Sequence, residues 1–216
     1  MAKTKRNRKR RSRSQTGSDR IRVIDYEITT EPILDARYRR LPRPVQDAVE
    51  RLHYESQTQP RKAIPELLEW IEQYPRIPVL YNYLSVAYAG TRQEDKMRAT
   101  VEENYRRNPD YLFARLNYAE LCLADGDYQK FAQVFDHKFD LKLLYPSRKR
   151  FHISEFASFA GLVGIYFFET GDRELAATYY GVLKQIAPGY PLTKRLRRKL
   201  HPGPLRRLWL RLAGRS

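Results

Sequence analysis

The chain has 216 residues, of which 42% are hydrophobic, so it can bury one continuous core and still carry polar tails. Its formal net charge is +16. Residues 1–20 hold nine Lys/Arg and one Asp, and residues 189–216 hold nine Lys/Arg and no acidic residue. The remaining 23 basic and 24 acidic residues nearly balance, which places the basicity in the tails and not in the fold.

The single cysteine, Cys122, excludes an intramolecular disulfide and a thiol-based metal cluster. No apolar run approaches the roughly 20 residues that a membrane-spanning helix needs. The basic N-terminus also lacks the apolar stretch of a secretory signal. We therefore expect a soluble, intracellular protein that is cytoplasmic, or also nuclear if the host is a eukaryote.

Residues 1–20 form a basic tail with no apolar residue beyond Met1 and Ala2. Such a segment cannot bury enough apolar surface to offset its ordering entropy, so we expect it to be disordered. Two interpretations stay open. The tail either only solubilises the protein, or it contacts a polyanion such as RNA through the release of counterions.

Residues 21–41 differ from this tail because they are rich in β-branched and aromatic residues, from Ile21 to Ile28. An isolated strand is unstable in water, and the sequence offers no obvious neighbouring strand. We therefore expect an extended segment that packs on the helices. Our hypothesis is that its residues 21–30 occupy a groove of the same chain.

From residue 42 to residue 200, helical periodicity recurs at a spacing near 34 residues. In residues 78–109, the second helix ends at a proline, and one face of the first helix carries Leu80, Tyr81, Leu84, Ala87 and Tyr88. One step forward takes Ser85 to Ala119. The next step needs 11 additional residues and reaches Gly164. A small residue therefore recurs where paired helices approach closely.

The recurring order of small, aromatic, Gly, Ala, aromatic and Pro positions resembles the tetratricopeptide repeat (TPR) family. The resemblance covers about two-thirds of the chain. It implies an all-α fold, an α-solenoid of about four TPR-like helix pairs within residues 42–200. Arg51 replaces the small residue in the first pair, which fits a terminal repeat with one face in water. Arg92 stands where the family prefers glycine, which indicates a slightly different turn.

Residues 137–152 interrupt the period and are expected to leave the array as a longer helix or a loop. A basic capping helix follows the last pair over residues 192–200. Residues 201–216 form a basic amphipathic tail with Leu208 and Trp209 on one face. This tail either folds back on the last repeat or docks on a partner, and peripheral contact with an anionic membrane is a weaker alternative.

The sequence offers no catalytic constellation. The four histidines fall on different elements without metal-ligand spacing, and no glycine-rich loop is present to hold a phosphate. Cys122 stands at the repeat position equivalent to Tyr88, 34 residues earlier, and is expected to fill the core. We therefore expect a protein that is not an enzyme and uses no cofactor or metal.

The TPR resemblance implies that the first helix of each pair lines a concave groove for a peptide or protein partner. A carboxylate clamp of the chaperone-binding type is not expected, because Glu120 would repel a carboxylate. An apolar peptide suits the groove better. By helical phase, the groove-lining residues are Val79, Asn82, Val86, Phe113, Leu116, Glu120, Gly161, Ile165 and Phe168.

A second set of residues is basic and is expected to contact a polyanion. Within the insertion, the basic run is flanked by aromatic residues that can stack on unpaired bases, although such a run can equally cap the edge of a repeat array. The set comprises Lys5, Arg6, Arg8, Lys9, Arg10, Arg11, Arg148, Lys149, Arg150, Arg195, Arg197 and Arg198.

Two functions are compatible with these patterns. The first is a protein-interaction scaffold that binds a peptide or protein in its groove. The second is an adaptor whose basic tails bind RNA or a ribonucleoprotein particle while the repeats recruit protein. The two differ in their salt response, because polyanion binding weakens steeply with salt and apolar groove binding does not.

Overall fold

The computed structural model describes residues 26–203. Over that range most residues are helical, which confirms the all-α prediction, and the strands there are two of three residues each. The elements are β1 (Glu27–Thr29), α1 (Ala36–Arg39), α2 (Arg43–Thr58), α3 (Pro60–Gln73), α4 (Pro78–Gly90), α5 (Glu94–Arg107), α6 (Leu112–Ala124), α7 (Tyr128–Val134), α8 (Leu141–Leu144), β2 (Arg150–His152), α9 (Ile153–Glu169), α10 (Arg173–Ile186) and α11 (Pro191–Leu200).

The longer helices follow one another as hairpins: α2 with α3, α4 with α5, α6 with α7, and α9 with α10. Most helix contacts join elements that are close in the chain, so the arrangement is repeat-like. The buried residues separate into two clusters. One is built mainly on α2, α3 and α4, and the other extends from α6 to α11. The predicted inner face of α4 is confirmed, because Leu80, Tyr81, Leu84, Ala87 and Tyr88 are all buried.

The first helix pair departs from the repeat pattern at two columns. Arg51 lies at the surface and forms ion pairs with Glu55 and Glu66. Tyr54, which the 34-residue spacing aligns with the buried Tyr88, has 66% of its surface exposed. The burial found at Tyr88 is therefore absent at the equivalent position of the first pair, because no preceding helix pair covers that face of α2.

The turns between paired helices use the left-handed backbone conformation. Gly126 has φ 72° and Gly171 has φ 97°, as glycine allows without steric cost. Arg92 has φ 60° at the matching place, so the α4–α5 turn adopts the same conformation with a residue that disfavours it. The prediction that the turn at Arg92 has a different backbone conformation was therefore wrong.

Two glycines let α11 approach α9. A Cβ atom on Gly161 would lie 2.5 Å from the Cβ of Leu192. A Cβ atom on Gly164 would lie 2.5 Å from Leu196 Cδ2 and 3.0 Å from Tyr179 Cβ. Since real Cβ atoms do not approach so closely, α11 can pack here only because these positions are glycine.

The insertion contains a strand, and not only the helix or loop expected from the sequence. Strand β2 pairs in parallel with β1, with Ile28 opposite Phe151. Residues 150–152 are therefore the neighbouring strand that was not predicted from the sequence, and they lie more than a hundred residues further along the chain. The ring of Tyr26 packs edge-on against Phe151 at 4.9 Å between centroids, which joins the strand pair to the core.

Candidate functional site

The first helices of the four pairs contribute to one cavity, and the N-terminal segment crosses it. The cavity has a volume of about 430 Å³. Its walls come from α2, α4, the start of α6 and the start of α9, and residues 32–38 form the remaining side. It is lined by Pro32, Ile33, Leu34, Asp35, Tyr38, Val49, Glu50, His53, Val79, Tyr83, Tyr111, Phe113, His152 and Glu155.

The structure brings together only part of the predicted groove. Val79 and Phe113 line the cavity, and Val86 is 44% exposed on α4. Leu116 and Ile165, in contrast, are 2% and 1% exposed. Their assignment to an open groove is corrected, because both side chains pack inside the second core cluster.

Helix α11 covers the remaining predicted groove positions. Leu192 lies against Gly161, and Arg195 forms an ion pair with Glu120 at 3.1 Å. The ring of Phe168 lies beneath two cations, with the Arg173 guanidinium carbon 5.3 Å and the Lys199 Nζ 5.7 Å from its centroid. The open part of this face is therefore the part formed by α2, α4 and α6.

Asn82 belongs to a chain of side-chain amides and is not a free groove residue. Its Oδ1 accepts hydrogen bonds from Asn104 Nδ2 at 2.9 Å and from Asn117 Nδ2 at 3.1 Å. The Asn104 Oδ1 accepts one from Asn108 Nδ2 at 3.0 Å, and the Asn108 Oδ1 accepts one from Arg37 at 3.2 Å. This amide chain joins α4, α5 and α6 to the N-terminal segment.

The N-terminal segment is held at both ends and crosses the cavity between them. At one end, β1 pairs with β2, and Arg150 forms ion pairs with Glu27 and Glu31. At the other end, Arg37 binds Asp35 and the amide chain, and the Tyr38 hydroxyl donates to Glu50 at 3.0 Å. Residues 30–34 between these ends are all exposed, including Ile33 and Leu34.

The cavity is lined by aromatic rings and by three carboxylates. Burial, with smaller contributions from nearby carboxylates such as Glu50, raises the pKa of Tyr38 and of Tyr83 to about 12. The pKa of Tyr111 is raised by burial and, to a smaller extent, by Tyr83, Asp35 and Glu155. All three tyrosines therefore stay neutral at physiological pH and can act as hydrogen-bond donors or as aromatic walls.

Sequence reasoning missed several residues of this cavity. Tyr83 lies four residues after Val79, so helical phase already placed it on the groove face. Tyr38 carried no such signal, because only the folded chain brings the N-terminal segment to α2. The ring of His53 is tilted against that of Tyr83, with 5.1 Å between centroids, and His152 also lines the cavity.

The predicted basic cluster of the insertion is largely neutralised within the protein. Arg148 forms an ion pair with Glu155 at 2.7 Å and lies 4.1 Å above the centroid of Phe151. Arg150 is paired with the two glutamates of the N-terminal segment. Both residues therefore make structural contacts within the protein, and their contact with a polyanion stays a prediction. Lys149 stays exposed, and Lys5, Arg6, Arg8, Lys9, Arg10 and Arg11 lie outside the described residues.

A separate basic cleft lies between α10 and α11. It has a volume of about 520 Å³ and is lined by Tyr180, Lys184, Pro188, Thr193, Lys194, Arg197 and Arg198. Within residues 26–203, its four cations have no acidic partner, whereas Arg195 and Lys199 on the same helix are paired with Glu120 and Glu169. Of the three α11 residues predicted to contact a polyanion, Arg197 and Arg198 line this cleft and Arg195 does not.

Over the range that the structure describes, no group of His, Cys, Asp and Glu side chains is arranged to hold a metal ion. Cys122 is buried, and burial raises the pKa of its thiol, although the nearby Lys130 acts in the opposite direction. None of the helices within residues 26–203 is long and apolar enough to cross a membrane.

The chain matches no protein-family model, and comparisons with curated proteins and with solved structures found no significant match.

Proposed function

We propose that this protein is a non-enzymatic TPR-like scaffold that binds a peptide or protein partner on the face formed by its first helices. The single observation that supports this most directly is the cavity of about 430 Å³ shared by the first helices and crossed by the N-terminal segment. An extended segment of the same chain already lies on this face. The face therefore suits an extended apolar ligand.

The side chain of Phe113 offers the sharpest test of this surface. It is partly exposed, lines the cavity and contacts the ring of Tyr111 at 6.0 Å between centroids. We predict that Phe113→Glu weakens partner capture at least tenfold, because a charge would be buried in an apolar contact. The measurement is quantitative affinity capture from extract with the purified full-length chain.

The matched control is Leu68→Glu on α3, a second helix, where the side chain is 46% exposed outside the cavity. This variant introduces the same charge and should capture partners like the unmodified protein. Circular dichroism must show that both variants keep their helical content. Equal capture by the two variants would place the binding surface elsewhere.

A second function, binding of RNA as an adaptor, is supported by the α10–α11 cleft. Its four cations, which have no acidic partner within residues 26–203, can neutralise phosphates, and the ring of Tyr180 beside them can stack on an unpaired base. Arg197 and Arg198 come from the predicted polyanion set, and the fold adds Lys194 from the same helix and Lys184 from α10. The basic tails would add further electrostatic attraction.

We predict that the double variant Arg197→Ala/Arg198→Ala binds a single-stranded oligonucleotide about tenfold more weakly at low salt. Loss of two phosphate contacts should also flatten the slope of log affinity against log salt by about 1.4, because each contact releases counterions. Fluorescence polarisation at several salt concentrations measures both quantities.

The control for this experiment is Arg195→Ala/Lys199→Ala, which removes the same charge from the same helix. Both control residues are already paired with glutamates, so their removal should affect binding less. If the two double variants bind equally, the cleft contributes only net charge. In that case the adaptor function would depend on the tails.

A further inference from the structure

The cavity beneath the N-terminal segment has an unusual composition for an apolar groove. Of its fourteen lining residues, four carry large aromatic rings and three carry carboxylates, and none is a lysine or an arginine. A neutral aliphatic ligand would gain no electrostatic attraction from the carboxylates, and an anion would be repelled by them. This combination suits a positively charged organic group, which aromatic faces and carboxylates both attract.

The three carboxylates do not contribute equally. Asp35 is paired with Arg37 at 2.9 Å, and Glu155 is paired with Arg148 at 2.7 Å. Glu50 accepts a hydrogen bond from the Tyr38 hydroxyl at 3.0 Å and, within residues 26–203, has no ion-pair partner. Its charge is therefore the one that remains available to a ligand at the mouth of the cavity.

The aromatic rings that line the same cavity as this carboxylate come from different elements. Tyr38 comes from the N-terminal segment, Tyr83 from α4, and Tyr111 and Phe113 from the start of α6. The Glu50 charge acts on both Tyr38 and Tyr83, since it contributes to the raised pKa of each ring hydroxyl after burial. The carboxylate and the rings thus share one space.

We propose that this cavity binds an organic cation, the alkylammonium or guanidinium group of a lysine or arginine side chain presented by a peptide ligand. The inference rests on the proposed function for the peptide and adds the chemistry of its anchor. Glu50 attracts the charge, the tyrosine and phenylalanine rings contact the alkyl stem and the cation, and Ile33 and Leu34 form the outer wall.

The first experiment uses small probes on the full-length chain, followed by NMR of aromatic side-chain signals. The n-butylammonium ion mimics lysine, 1-butanol is its neutral analogue, and butyrate is the anionic one. We expect n-butylammonium to bind at least fivefold more tightly than 1-butanol, and butyrate to bind more weakly than both. Binding of 1-butanol or butyrate as tight as that of n-butylammonium would overturn the assignment.

The second experiment removes the carboxylate with Glu50→Gln. Because glutamine still accepts a hydrogen bond from Tyr38, the fold should be kept, as an unchanged melting temperature would show. We expect about a fivefold loss of n-butylammonium affinity with no change for 1-butanol, a size typical of an exposed charge pair aided by aromatic contacts.

The matched control is Asp47→Asn, which removes a carboxylate from the same helix outside the cavity, where it pairs with Arg43. This control should leave n-butylammonium binding unchanged. If Asp47→Asn weakens it as much as Glu50→Gln does, the cation senses only overall charge and the pocket assignment fails.

A peptide series separates this inference from the proposed function. The affinities of three apolar decapeptides are compared. The peptides differ only at one central position, which holds lysine, norleucine or glutamate. Tighter binding of the lysine peptide, lost in Glu50→Gln, supports the inference. Equal binding of the lysine and norleucine peptides overturns the cation pocket and leaves the groove function intact. Binding of n-butylammonium without any peptide leaves the pocket intact and overturns the groove function.

Discussion

At the scale of single residues, the amide chain through α4, α5 and α6 shows how a polar group can hold helix pairs together. Asn104 and Asn108 are 2% and 0% exposed, and Asn104 donates both to Asn82 and to the Pro78 carbonyl oxygen at 3.2 Å. Buried amides are tolerated only when their hydrogen bonds are made. Asn82 therefore joins neighbouring helix pairs, and the ligand contact that its helical phase indicates stays a prediction.

We predict that Asn104→Ala lowers the free energy of unfolding by about 2 kcal/mol, because the buried amide of Asn108 and the Pro78 carbonyl lose partners. Urea denaturation followed by circular dichroism measures the change. The control is Gln129→Ala, which removes an exposed amide from α7 and should alter stability by less than about 0.5 kcal/mol. Equal stability of the two variants would mean that water replaces the buried amide.

At the scale of elements, α11 can lie close against α9 because two α9 positions, Gly161 and Gly164, are glycines. The hydrophobic positions of α11 were visible in the sequence, and Leu196 is completely buried as a capping helix requires. Its docking site on Gly161 was not foreseen, because helical phase assigned that glycine to an open groove. The phase of a helix identifies a face, but it cannot tell which later element will cover that face.

Gly161→Ala should destabilise the protein by about 1–3 kcal/mol, since the new methyl group would force α11 away from α9. Gly181→Ala on α10 provides the contrast, because nothing lies within 4 Å of its Cβ position. Alanine favours the helix there, and stability should rise by up to about 1 kcal/mol. Thermal unfolding of the two variants gives the comparison, and a gain at Gly161 would refute close packing of α11.

At the scale of the whole molecule, the N-terminal segment joins the first helix pair to the strand that precedes α9. It pairs with β2 near α9 and contacts α2 through Tyr38, which is 7% exposed. The sequence predicts an extended segment that packs on the helices, and our hypothesis is that residues 21–30 occupy a groove of the same chain. In the structure, residues 32–38 lie along the cavity, and residues 27–29 pair with the insertion; residues 21–25 lie outside the described range.

We predict that deletion of residues 1–40 lowers the free energy of unfolding by at least about 2 kcal/mol, from the lost burial of Tyr38 alone. For a chain of this size the melting temperature should fall by roughly 4–8 °C. Deletion of residues 1–20 is the control, since that stretch carries almost no apolar surface and should leave the melting temperature unchanged. Identical melting of both truncated chains would show that the segment adds nothing to stability.

The sequence alone determined the helical class, the four hairpins and the inner face of α4, because these depend on hydrophobic spacing and on local turn residues. Only the tertiary structure decided four features: the cavity, the place of Glu50 in it, the pairing of β1 with β2, and the packing of α11 over α9. Each joins residues that are distant in the chain, and periodicity within a helix carries no information about such partners. The same limit explains why Leu116 was assigned to a groove and lies in the core.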